Sequence, residues 1–203
     1  MLMTSLKSNQ LCGSILATIS VALLGGGFVP TATADERDKK TIVTTNVPIE
    51  VPGKALPPGT YVFKLLDSTS NRNIVQIFDK DEKQLYATIL GIPDYRLEPS
   101  DKPVLKFEER PSNSPEALKA WFYPGDNYGV QFVYPQKRAT ELAKRTKQNV
   151  LSMRDDMSKH MNTKATSASD ADVQSLQKAE ITGVNPSGER VELQSVVSPK
   201  PQK

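Results

Sequence analysis

From Thr41 onward, short runs of alternating apolar and polar residues recur along this chain, separated by clusters of Pro, Gly, Asn and Asp. The densest stretch is VLKFEERPSNSPEALKAWFYPGDNYGVQFVY, residues 104–134. It holds the single Trp, Trp121, together with Phe107, Phe122, Phe132, Tyr123, Tyr128 and Tyr134. Period-two patterning puts successive side chains on opposite faces of a strand, and PSNSP and PGDNYG supply turn chemistry between the runs. The stretch therefore predicts a three-stranded meander at the heart of a small β-domain.

The earlier runs TIVTT (41–45), VPIEV (47–51), TYVFKLL (60–66), NIVQIF (73–78) and LYATIL (85–90) read as further strands. Pro48 demotes the second of these to an edge strand or a bulged continuation of the first. DKDEKQ (79–84) reads as a hairpin turn. Asp79 and Asp81 open it like a calcium loop, but Gln84 stands where that loop needs its sixth-position Gly and Leu90 where it needs its Glu. The calcium reading fails on both counts.

Past Pro135 the period changes. Ala139, Leu142, Ala143 and Thr146 fall at the spacing of one helical face, with Lys and Arg on the other side. A short amphipathic helix over 137–147 is predicted, with too small an apolar face for firm membrane binding and so expected to dock on the β-domain. From Arg154 on, Ser, Lys, Asp, Thr and Gln dominate and aromatics vanish, a composition that predicts a disordered tail with at most a transient hairpin about residues 185–188. The expected organisation is a signal peptide (1–34), a β-domain with its helix (35–153) and the tail (154–203). The expected fold class is all-β, an antiparallel β-sandwich or small barrel of about eight short strands.

The N-terminus adds a destination. Lys7 precedes an almost uncharged apolar run from Leu11 to Leu24, and Thr31-Ala32-Thr33-Ala34 offers small residues directly before DERDKK. This is the layout of a secretory signal with cleavage between Ala34 and Asp35; the alternative, an uncleaved anchor, is disfavoured by a run too short and Gly-rich to span a bilayer. Cleavage would remove Cys12, the only cysteine, which lies at the start of the apolar run and not after it, where a lipidation site belongs. Periplasmic or secreted bacterial location is expected, with no stable membrane span left and no disulfide in the mature chain.

Charge narrows the partners. Although the formal net charge is +3, residues 35–135 carry 13 Lys and Arg against 15 Asp and Glu, while 136–164 carry 8 against 3. The basic excess thus sits away from the aromatic β-region, the reverse of what nucleic-acid binding needs. Candidate chemistry is sparse. His160, the sole histidine, lies in the predicted tail, and neither a Gly-rich phosphate loop nor a nucleophile elbow occurs. Glu108 and Glu109 are strand neighbours pointing to opposite faces, not a catalytic pair. No enzymatic activity, metal or cofactor is expected.

In the meander, Leu105 and Phe107, then Leu118, Ala120 and Phe122, then Val130, Phe132 and Tyr134 read as the core face. Trp121 and Tyr123 fall on the opposite side with Lys119. That side has two uses open to it: a face covered by the 137–147 helix or an opposing sheet, which is the expectation, or a ligand platform. Glu109, at a strand end, has Arg96 and Arg110 as potential partners, in a structural ion pair or, alternatively, in ligand anchoring. Trp121, Tyr123, Arg96 and Glu109 are the candidate binding residues.

The segments LPPGTYVFKL, IVQIFDKDEKQLYATILGIPDYR, FEERP and ALKAWFYPGDNYGVQFVYP resemble a family of exported small β-domain proteins of bacteria with no established activity. The resemblance covers roughly residues 38–152 and implies an exported β-domain without carrying any catalytic residue across. Two functions are expected from this sequence. One is a non-enzymatic envelope or extracellular interaction module whose partner is a protein or cell-envelope polymer. The other is a small-ligand or glycan-binding domain using Trp121 and Tyr123.

Overall fold

A computed structural model describes residues 31–35, 40–67, 72–108 and 115–197, with 31–35 and 67 as backbone alone. It is mostly β. The main sheet orders its strands β1 (Thr31–Asp35), β2 (Lys40–Thr45), β5 (Gly59–Asp67), β6 (Asn73–Asp79), β7 (Leu85–Tyr95), β10 (Tyr128–Phe132), β9 (Glu116–Phe122), β3 (Ile49–Val51) and β4 (Lys54–Leu56). β8 (Val104–Glu108) also pairs with β9. The path is open: the sheet curls strongly without closing into a barrel. Its concave face holds Val43, Phe63, Val75, Ile77, Ile89, Leu118, Trp121, Val130 and Phe132 in one core. Trp121 on β9 donates Nε1–H to Thr41 Oγ1 on β2 at 3.1 Å, although four strands separate those two in the sheet. Only a curled sheet brings them together.

Local chemistry sets the turns. Asp79 accepts from the Lys83 and Gln84 amides at 2.7 and 2.9 Å, closing the β6–β7 hairpin. Glu82 takes a positive φ of 55° there and pairs with Lys40 and Lys64. The expectation of purely antiparallel pairing is corrected in two places. β3 runs parallel to β9, and β11 (Tyr134–Pro135) runs parallel to β12 (Val150–Met153). Both chain connections are long enough for a crossover, so nothing forces a hairpin.

The convex face of β6 and β7 is covered by a second layer. Helix α1 (Gln136–Thr146) follows β11, and β12 pairs with β13 (Ile181–Val184), which pairs with β14 (Arg190–Val191). A 3₁₀ turn (Asp155–His160) and helix α2 (Ala171–Gln177) lie between. α1 buries Ala139, Leu142 and Ala143 against Ala117, Tyr134, Val150 and Val184. Lys144 and Arg145 sit in its last turn, where cations meet the negative end of the helix dipole.

This layer corrects the expectation of a disordered tail after residue 153. Asp170 caps α2 by accepting from the Asp172 amide at 2.9 Å, and Val173, Leu176 and Met161 are buried against Ile74, Leu90, Ile92 and Val133. The β13–β14 hairpin turns on Asn185, whose side chain accepts from the Ser187 and Glu189 amides, and on Gly188 at φ 88°. Composition misled because it asks whether a segment can build a core of its own. This one completes a core that the sheet already half supplies, and a few spaced apolar residues suffice for that.

Candidate functional site

The meander expected at residues 104–134 is present as β8, β9 and β10, but one strand presents its faces the other way. Between Lys106 and Phe107 the β8–β9 register shifts: Lys106 lies opposite Ala120, yet Phe107 lies opposite Leu118. Lys119 is the extra residue of a β-bulge, and a one-residue slip moves every side chain beyond it to the other face. Leu118 therefore points into the concave core and so does Trp121, while Ala120 and Phe122 turn outward. Tyr134 also leaves the predicted core face. It starts β11, packs under α1 and donates its hydroxyl to the carbonyls of Leu118 (2.8 Å) and Glu50 (3.3 Å).

Trp121 is accordingly 1 % exposed, edge-on to Phe63 at 6.0 Å and tilted against Tyr123 at 5.1 Å. The expected cover by α1 is corrected: that helix lies across Ala117 on the opposite face, and the curled sheet itself covers Trp121. Tyr123 is half-buried at the mouth of the curl beside Leu65, Asp126, Tyr128 and Val130. The space those residues enclose is only ≈ 10 Å³, about room for one water. A sugar ring does not fit there without rearrangement.

Arg96 is not brought to this cluster. It lies on the outer face, its guanidinium carbon 5.5 Å from the centroid of the Phe122 ring, with Lys106 Nζ over the same ring at 4.6 Å. Both cations cover a ring that would otherwise face water, at roughly 0.5–1 kcal/mol each. Glu109 and Arg110 lie outside the described residues, so the predicted pairing with Arg96 is not on view. Glu108 is buried, with Lys119 Nζ 3.6 Å from its Oε2. Ala34 and Asp35, which flank the predicted cleavage site, lie within β1.

The remaining polar chemistry ties elements together. Arg138 on α1 grips Glu50 on β3 through two hydrogen bonds, at 2.5 and 2.6 Å, and also pairs with Glu141. The bond to Glu50 holds the Arg138 guanidinium protonated beyond even its ordinary range. His160 Nδ1 lies 2.5 Å from Asp172 Oδ1, lashing the 3₁₀ turn to α2. Asp172 is held below the usual carboxylate range by hydrogen bonds from Thr163 and then His160. Sequence reasoning set His160 aside with the tail; the spacing His160-x₁₁-Asp172 gives no sign of the pairing.

A groove of ≈ 250 Å³ between the 3₁₀ turn and α2 is lined by Arg154, Met157, Ser175, Lys178, Ala179 and Glu180. Its charged lining residues are of both signs, Arg154 and Lys178 against Glu180. Among the described residues, no three His, Cys, Asp or Glu side chains stand together as metal ligands would, and no helix is long and apolar enough to cross a membrane. No protein-family model matches this chain, and neither a curated protein nor a solved structure is significantly similar to it.

Proposed function

We propose that this chain is an exported, non-enzymatic interaction module of the bacterial envelope or exterior, acting on a protein or cell-envelope polymer. The observation that carries the reading is the fate of its aromatic cluster. Trp121, the best candidate for a ligand platform, is spent on the core, where its indole N–H bonds Thr41 and its ring packs on Phe63 and Tyr123. What the fold offers outward is strand edges and cation-covered strand faces, surfaces suited to another macromolecule more than to a small molecule. The Lys7, apolar-run and Thr-Ala-Thr-Ala layout supports export, as does the resemblance to exported bacterial β-domains.

Two measurements test this. Intact mass of protein recovered from the periplasm or medium should correspond to a chain starting at Asp35. Emission from Trp121 should be blue-shifted, resistant to iodide and unmoved by titration with oligosaccharides and peptides. A saturable emission change with a sugar, accompanied by a rise in melting temperature, would transfer the function to ligand binding at Trp121 and Tyr123.

A further inference from the structure

The predicted signal-peptidase site lies inside a strand of the fold. β1 runs antiparallel along β2, with Thr31 opposite Thr44 and Asp35 opposite Lys40. Cleavage after Ala34 removes Thr31 to Ala34 and leaves β2 as the edge of the sheet. The five residues Asp35 to Lys39 that precede β2 in the sequence are too few to form both a turn and a replacement strand. An edge strand presents a row of unpaired N–H and C=O groups, and proteins ordinarily blunt such edges with Pro, bulges or free charges.

β2 has none of these. KTIVTT is rich in β-branched residues, its pairing with β5 is regular from Lys40 to Thr45, and its one charge, Lys40, is tied to Glu82. Thr41, Val43 and Thr45 are buried on the concave side, whereas Ile42 on the outer side is 40 % exposed. Only Leu97, in a loop, joins it as an exposed large hydrophobic among the described residues.

We propose that signal cleavage opens this edge and that β2 of a second copy takes the place of β1, antiparallel about a two-fold axis at Ile42. The proposal rests on the export reading above. A two-fold axis perpendicular to the sheet keeps inner face with inner face, so only residues of one face may stand opposite each other. Centring on Ile42 meets that condition. Ile42 then faces Ile42, Thr41 faces Val43 and Lys40 faces Thr44. The paired span, Lys40 to Thr44, is the one β1 covers in the uncleaved chain. No like charges stand opposite, and the exposed Ile42 gains an apolar cross-strand partner. The leader's last residues thus occupy, in the uncleaved chain, the edge that the second copy takes in the cleaved one.

The experiment combines mass spectrometry and sedimentation equilibrium on protein recovered after export. A chain starting at Asp35 that sediments as a dimer is expected. Ile42→Lys places two ammonium groups opposite each other and should raise the dimer dissociation constant by about tenfold or more. Unchanged Trp121 emission would certify that this variant is folded. A synthetic peptide of residues 27–35 should compete for the edge and convert dimer to monomer, whereas its scrambled form should not. A cleaved chain that stays monomeric, or a dimer indifferent to both Ile42→Lys and the peptide, overturns the proposal alone. An uncleaved mass overturns the signal-cleavage reading and the proposal together.

Discussion

Leu176→Ala measures whether the C-terminal layer is integral to the fold. Leu176 is fully buried on α2, beside Val173 and against a cluster that includes Ile74, Leu90, Ile92 and Val133 on the main sheet. Truncation to Ala removes three buried carbons, about 2.4 kcal/mol at ~0.8 kcal/mol each. Incomplete collapse of the cavity adds about 1 kcal/mol. Ala is the better helix former, so α2 itself loses nothing. One effect bounds the loss from above. If α2 opens locally at lower cost than the whole protein unfolds, the loss saturates at that opening free energy. We expect about 3 kcal/mol, which for a urea m-value near 2 kcal/mol/M lowers the midpoint by about 1.5 M. Urea unfolding should be followed twice, by Trp121 emission, which reports the main sheet, and by far-UV circular dichroism, which also reports α2. Coincident curves shifted together are expected. A shift below about 0.2 M in both would refute the reasoning and return residues 154–197 to the status of a tail.

Three further substitutions probe the site region and the ties between layers. A Cβ on Gly129 would stand 2.4 Å from the Phe122 ring and 2.6 Å from the Trp121 carbonyl, so Gly129→Ala should cost about 1–3 kcal/mol in chemical denaturation despite adding one methyl. Arg138→Met leaves Glu50 buried without its main partner and should cost about 2 kcal/mol, less than a fully buried pair because Arg138 is part-exposed; the double variant with Glu50→Met should cost less than the single one. Asp172 has its carboxyl pKa depressed in the fold, so its stabilising contribution is complete above the unfolded value of about 3.9 and is lost as pH falls through the lower folded value. Melting temperature followed into that acid range should therefore fall less steeply for Asp172→Asn than for the parent.

Several features of the fold were legible because they depend on neighbours in sequence. Strand runs such as TYVFKLL and LYATIL declare themselves through β-branched and aromatic content between turn residues, and they appear as β5 and β7. The turn at Asp79–Gln84 follows from a side chain bonding amides four and five residues on. The 3.6 period at Ala139, Leu142 and Ala143 coincides with the buried face of α1. NIVQIF does not alternate, and β6 is buried on both faces, which demands a second layer over the sheet. Met161, Ala165, Val173 and Leu176 supply it from a segment whose composition alone denies it a core.

What tertiary structure decided is where long-range geometry overrides local pattern. The face of Trp121 hangs on one residue, Lys119, because a bulge reverses the alternation beyond it, and no local property of Ala-Leu-Lys-Ala-Trp marks which residue is extra. The curl that lets Trp121 reach Thr41, 80 residues away, arises from the summed twist of successive strands and from burying Tyr61, Phe63, Trp121 and Phe132 on one side. The Arg138–Glu50 and His160–Asp172 ties join elements whose proximity exists only after the layers pack. By itself the sequence determined the strands, their turns and the helical period, since each rests on the preferences of a few adjacent residues. The choice of concave or convex face, and hence of core or surface for the aromatic cluster, fell to the sheet as a whole, because only the assembled sheet has an inside.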